Sequence, residues 1–139
     1  MVEFPIEFSS HTKTNQASMK WKSSSNGELE VGIPKEFGGV EVMSPEDLFQ
    51  LSIVNCFIAT FKVMTKSSFY IFEEIEVISK LTMDKDDKSI PYVKNVHLDI
   101  IISGNKDEEK TKKLLNKAFS SCYVHKAVKV EITHEFKLK

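Results

Sequence analysis

Arginine is missing from this sequence: all 19 basic residues are lysine. No side chain therefore offers a planar guanidinium fork. An excess of one charge is missing too. The 19 lysines face 20 acidic residues for a formal net charge of −1, so nothing in the balance points to nucleic acid. Lysines and acids alternate along the chain, as on a solvated surface. The segment Met1 to Glu7 has neither the basic nor the apolar stretch of a secretion signal, and a cytoplasmic location is expected. The longest apolar run, Leu48 to Thr65, carries Gln50, Asn55 and Lys62 and is expected to be too short and too polar to span a membrane. Cysteine is scarce, with 2 residues in the chain. In a cytoplasmic protein such a pair argues less for a structural disulfide than for redox chemistry, metal binding or simple packing.

What is present is an ordinary globular composition. The 139 residues are 41% hydrophobic and 28% charged, which fits one domain over residues 1–139 with a core that needs no staple. No repeat or low-complexity segment interrupts it. Phe4, Ile6 and Phe8 alternate with polar residues and predict a half-buried strand. A second strand is expected over Ala17 to Ser23, a turn at Ser25-Asn26-Gly27, and a returning strand over Glu28 to Ile33. Pro34 and Gly38-Gly39 mark a loop. Ser44-Pro45-Glu46-Asp47 reads as a helix start, with a capping serine, proline at the first helical position and acids at the positive end of the dipole. The helix that follows is apolar nearly all round and is expected to be buried on most faces. Ser67-Ser68 suggests a further short helical piece. Strands are then expected from Ile75 to Leu81 and Val93 to Ser103, a helix from Asp107 to Ser121 and a last strand from Ala127 to Leu138. Strands, long helix, strands, helix and strand make an α+β fold.

Cys56 falls in the third turn of the long helix and Cys122 at the end of the later one. Sixty-six residues separate them, so spacing alone does not bring them together. Free cysteine is most often a small buried hydrophobe, and that reading stands beside the chemical ones. Phe49, Phe57, Phe61, Phe69, Phe72 and Phe119 are expected to build the core and a pocket wall.

Two stretches resemble a known family. Gly38-Gly39, Ser44-Pro45-Glu46-Asp47-Leu48-Phe49 and Asn55-Cys56-Phe57, together with Ser121-Cys122-Tyr123-Val124-His125-Lys126-Ala127 before a final strand, are similar to the OsmC/Ohr family of osmotically inducible and organic hydroperoxide resistance proteins. The resemblance implies an intertwined homodimer in which each long central helix packs on antiparallel sheets. It also implies a thiol-dependent peroxidase that reduces organic hydroperoxides. Cys56 would be the peroxidatic thiol, Cys122 the resolving thiol, and a lipoyl-type dithiol the reductant, with no bound cofactor, nucleic acid or membrane involved. The chemistry stands on its own terms: a thiolate becomes a sulfenic acid, a second thiol condenses with it, and exchange regenerates the pair.

Glu46 matches the family's active-site carboxylate. Ten residues separate it from Cys56, about 15 Å along a continuous helix, so it would have to serve the partner subunit's thiol. Plain helix N-terminal charge explains Glu46 as well. The family's arginine beside the reactive thiolate is absent here. The matching stretch, Ser18-Met19-Lys20-Trp21-Lys22, offers Lys20 or Lys22 as point charges, or else they are surface residues of a strand. Tyr123 replaces the family's usual proline. Two other readings remain open: an OsmC-like small-molecule-binding dimer with weak or no peroxidase activity, and a redox sensor that stores oxidation as a disulfide. Cys122-x-x-His125 could also join Cys56 and His97, His134 or His11 around zinc, although ligands so scattered make a poor motif and no metal is expected.

Overall fold

Ser44 and Asp47 cap each other at the start of the long helix. The Ser44 amide donates to Asp47 Oδ2 at 2.9 Å and the Asp47 amide to Ser44 Oγ at 3.1 Å. Two otherwise orphaned amide donors are thereby satisfied, which is how a capping box fixes a helix N-terminus. From that start α1 runs unbroken over Pro45–Ser67. The computed structural model describes residues 3–139, and the chain divides into two compact units, Met1–Leu48 and Phe49–Lys139. The first turn of α1 belongs to the first unit.

That first unit holds β1 (His11–Lys13), β2 (Lys20–Ser24) and β3 (Glu28–Gly32), an antiparallel sheet in the order β1-β2-β3. After β3 the chain makes a short 3-10 turn over Lys35–Phe37 and reverses at Gly38, whose φ of +82° suits glycine. Gly39 is required for a different reason: a Cβ there would sit 1.8 Å from the Ile33 carbonyl oxygen. The expected strand at Phe4, Ile6 and Phe8 does not form. These residues are 78%, 46% and 91% exposed, and among the described residues no neighbouring strand takes their backbone hydrogen bonds.

The second unit adds β4 (Glu74–Lys85), β5 (Pro91–Ser103), α2 (Glu108–Ser121), the short α3 (Tyr123–Ala127) and β6 (Glu131–Leu138). β4 and β5 pair antiparallel, whereas β6 returns parallel to β5, so this sheet is mixed. The parallel pairing requires a crossover, and α2 and α3 provide it. Alternation along β5 turns Val96, Leu98, Ile100 and Ile102 inward, all buried. Against them pack Ile53, Phe57 and Phe61 of α1, spaced at i, i+4 and i+8, and Leu114, Leu115, Ala118 and Phe119 of α2. The architecture is α+β.

Four expectations in and after α1 need correction. α1 continues to Ser67, so Ser67-Ser68 ends it rather than opening another piece. Phe69, at φ +54° and 87% exposed, belongs to the turn and not to the core. α1 is also not buried on most faces. Its core stripe is Ile53, Val54, Phe57, Phe61 and Thr65, while Leu51 and Val63 lie exposed. By length and composition the 23-residue helix is long and apolar enough to cross a membrane, contrary to the reading of its shorter apolar run. Its packed stripe instead makes it the central helix of this unit's core.

Candidate active site

The two cysteines meet. Phe57 stacks on Phe119 with ring centroids 4.4 Å apart and planes 9° apart, which keys α1 to α2. Cys56 adjoins the first ring in sequence, and Cys122 follows the second by one turn. Cys122 is not itself helical: it sits at φ −71°, ψ 115°, the joint between α2 and α3. That joint brings the Cys122 thiol within hydrogen-bonding reach of Cys56 and turns the Tyr123 and Val124 amides toward the same sulfur. Both cysteines are free thiols, Cys56 half-buried and Cys122 buried.

Their acidities are driven apart. Burial pushes the Cys56 thiol up, but hydrogen bonds from the Cys122 thiol, the Val124 amide, the Thr60 hydroxyl and the Tyr123 amide outweigh it and leave Cys56 below the ordinary thiol value. Cys122 moves the other way, pushed up to about 11 by burial first, and then by its hydrogen bond to Cys56 and the charge there. The first proton of the pair therefore leaves Cys56, and Cys122 remains a thiol that donates to it. Every group that lowers Cys56 is uncharged.

Cys56 opens into a pocket of about 380 Å³ lined by Cys56, Ala59, Thr60, Val63, Met64, Ser121 and Tyr123. Five of these stand on α1 at i, i+3, i+4, i+7 and i+8 from Cys56, which is one helix face. The expected phenylalanine wall is absent: Phe57, Phe61 and Phe119 lie in the core behind this face. Counting helical steps from Cys56 gives the wall directly from the sequence, a signal the aromatic count obscures.

The other candidates stand on other elements or, in the case of Glu46, at the start of α1. Lys20 and Lys22 stand exposed on β2 of the first unit, each 3.7 Å from an acid of β3, Glu30 and Glu28 respectively. Such exposed pairs are worth about 0–1 kcal/mol. Glu46, also in the first unit, has one carboxylate oxygen buried without a hydrogen-bond partner. The histidines considered for zinc make other contacts. His134 stacks on Phe119 at 4.2 Å, His125 meets the same ring edge-on at 5.7 Å, and His97 bonds Thr133 and Asp99. Burial, with His125 and His97 nearby, holds His134 below the ordinary imidazole value and favours its neutral ring. His11 lies on β1. Among the described residues, the metal-ligating side chains that converge are His97, Asp99 and Glu135, without either cysteine.

A mixed α+β unit that brings two free thiols together is the class these features define. Residues 38–137 match the family model described as OsmC-like protein, and the chain belongs to that family. Solved structures agree on the fold. An OsmC-like protein of unknown function from Vibrio cholerae superposes with a TM-score of 0.84 at 16% identity, covering 96% of this chain and all of that one (100%). An organic hydroperoxide resistance protein OsmC from Legionella pneumophila gives 0.77 at 16% identity, covering 99% of each chain. The organic hydroperoxide resistance protein OhrB of Bacillus subtilis gives 0.70 at 19% identity, covering 96% and 98%. No curated protein matches the sequence.

The acidity split predicts the order of alkylation. With iodoacetamide and peptide-level mass spectrometry across a pH series, Cys56 should be labelled at a pH below that of an ordinary thiol, its rate falling as pH drops through its pKa. Cys122, held up to about 11 while Cys56 is unreacted, should be labelled only after Cys56. Labelling of Cys122 before Cys56 would contradict the assignment.

Proposed function

We propose that the protein is a thiol-dependent peroxidase that reduces organic hydroperoxides through a Cys56–Cys122 cycle. The observation that carries this reading is the pair of adjoining free thiols with opposed acidities, of which Cys56 lines a mainly apolar pocket and Cys122 is buried. The Cys56 thiolate attacks one oxygen of the hydroperoxide, the O–O bond breaks, and the alkoxide leaves as an alcohol after taking a proton. Cys56 is then a sulfenic acid, oxidised by two electrons. Its negative charge has gone, and with it two of the influences that hold Cys122 protonated, leaving burial alone to oppose ionisation. The first step thus prepares the second. Cys122 loses its proton and attacks the Cys56 sulfur, water departs, and a disulfide forms. An external dithiol, of the lipoyl type that the family resemblance suggests, reduces it by exchange.

Ala59, Val63, Met64 and the Tyr123 ring favour alkyl hydroperoxides over hydrogen peroxide. Each methylene buried there is worth about 0.8 kcal/mol, or about fourfold in kcat/KM. The uncharged donor set at Cys56 supports a second reading, a slower OsmC-like dimer that binds small molecules or senses oxidation by storing the disulfide. Within the proposal the protein works as a cytoplasmic homodimer. The exposed apolar residues Leu51 and Val63 on α1, and Phe4 and Phe8 before β1, give a second copy apolar surface to cover. Glu46 would then bring its unpartnered carboxylate, and Lys20 or Lys22 a cation, to the partner subunit's thiol.

Hydroperoxide consumption with a dithiol reductant tests the enzyme reading. Cys56→Ser should lower turnover to the rate without protein, and unchanged turnover would reject Cys56 as the nucleophile. Cys122→Ser should complete the first attack and then over-oxidise Cys56 to sulfinic acid, visible by mass. A variant that gains no such oxygens and keeps turning over would remove Cys122 from the cycle. Rapid single oxidation with negligible turnover would favour the sensor. Sedimentation should give about twice the 15.9 kDa chain mass, and a monomer at micromolar concentration would sink the dimer proposal.

A further inference from the structure

We propose that His97, Asp99 and Glu135 form a binding site for a divalent first-row transition-metal ion, bridging β5 and β6 on the sheet face turned away from the core. One ligand atom from each of the three lies within 4.8 Å of the other two. The site shares no residue with the Cys56 pocket and does not depend on the function proposed for it.

Sheet register brings the three side chains together. Val96, Leu98, Ile100 and Ile102 point into the core, so His97 and Asp99, which alternate with them on β5, point to the opposite face. β6 runs parallel to β5, with Thr133 beside His97 and Glu135 beside Asp99. Asp99 and Glu135 are thus like charges directly paired across two strands, which costs stability when nothing positive lies between them. Lys80 and Lys137 share this face by register with His97 and Ile101. Yet among the described residues no lysine pairs with Asp99 or Glu135, whereas Glu28, Glu30, Glu41 and Asp84 each have one. A proton on the His97 ring would answer Asp99, 3.2 Å away, and leave Glu135 unpaired. A divalent cation answers both carboxylates at once.

The imidazole is already oriented for such an ion. His97 Nδ1 bonds the Thr133 hydroxyl at 2.7 Å, and Thr133 Oγ1 accepts from Asn95 Nδ2 at 3.3 Å. Nε2 is left to face the carboxylates. A polar partner on the second ring nitrogen is the usual support of a metal-bound histidine. Around an ion with bonds of about 2.0–2.2 Å, ligand atoms sit about 2.8–3.6 Å apart. His97 Nε2 and Asp99 Oδ1 stand at that spacing now, and the exposed Glu135 side chain closes the remaining gap by rotation. Asp99 and Glu135 also line a hollow of about 290 Å³ with Ile78, Ile101 and Lys137, which leaves room for water ligands. One imidazole, two carboxylates and water suit borderline ions such as Mn²⁺, Co²⁺ or Zn²⁺. Bound there, the ion ties the edge strand β6 to β5. His97-x-Asp99 on one strand face was readable in the sequence; Glu135 joins it only through the parallel register.

Mn²⁺ alone tests the proposal on the full-length protein, since a hard ion has little affinity for the two thiols. Loss of the free-ion electron paramagnetic resonance signal should show one ion bound per chain with sub-millimolar affinity. An equal concentration of Mg²⁺ should not displace it, because magnesium keeps its waters and gains little from an imidazole. Paramagnetic broadening of amide NMR signals should begin around His97, Asp99 and Glu135. His97→Ala and the isosteric Glu135→Gln should each weaken binding about tenfold or more. Thr133→Val, which removes the support of the ring and no ligand, should weaken it about tenfold. No binding at millimolar Mn²⁺, displacement by equal Mg²⁺, or binding unchanged in both His97→Ala and Glu135→Gln would overturn the proposal. None of these readings involves hydroperoxide turnover, so the site stands or falls apart from the peroxidase reading.

Discussion

Phe57 and Phe119 stack in the interior at 4.4 Å, and the placement of both cysteines follows from that contact. Phe119 is held on its other side by His134 of β6 at 4.2 Å, so α1, α2 and the sheet are joined through one column of rings. An aromatic pair contributes about 0.5–1.5 kcal/mol beyond the area it buries. Loss of a buried ring costs about 3–5 kcal/mol. Against a total stability of about 5–15 kcal/mol, the constraint is strong. It also acts at the right place, because the reactive sulfurs are attached to the residues next to this column.

Cys56 and Cys122 show how one local arrangement can give the same side chain two chemical characters. Cys56 shares its helix face with the pocket wall and collects four uncharged hydrogen-bond donors. Cys122 is enclosed at the α2–α3 joint, where burial and its neighbour's charge keep it protonated. Each sulfur contributes to the state of the other, and oxidation of the first relaxes the hold on the second. Membership of the OsmC-like family and the shared fold give this arrangement its context, while the acidity argument depends on this chain's own residues.

Much of the scaffold was legible because it is local. The Ser44–Asp47 cap, the β2–β3 hairpin and α2 behind Asp107 all follow from residues a few positions apart, and all are present. The parallel return of β6 was not legible, since strand alternation fixes which face is buried but not the direction of a partner. Phe4, Ile6 and Phe8 show the reverse failure: the alternation is there, yet among the described residues no neighbouring strand completes it. α1 misled through composition. An apolar circumference reads as burial, but within one chain only the stripe through Ile53, Phe57 and Phe61 is covered. At the site, the meeting of Cys56 and Cys122 was visible only through family resemblance, because their separation in sequence carries no geometric information. The pocket wall of Ala59, Thr60, Val63 and Met64 was readable from helical spacing alone, had the count begun at Cys56.

Peptide mapping under non-reducing conditions, after one equivalent of an alkyl hydroperoxide, addresses the shared site most directly. The account predicts a single product in which the Cys56 and Cys122 peptides are joined within one chain. Two thiols left free, or a disulfide that links only separate chains, would contradict it.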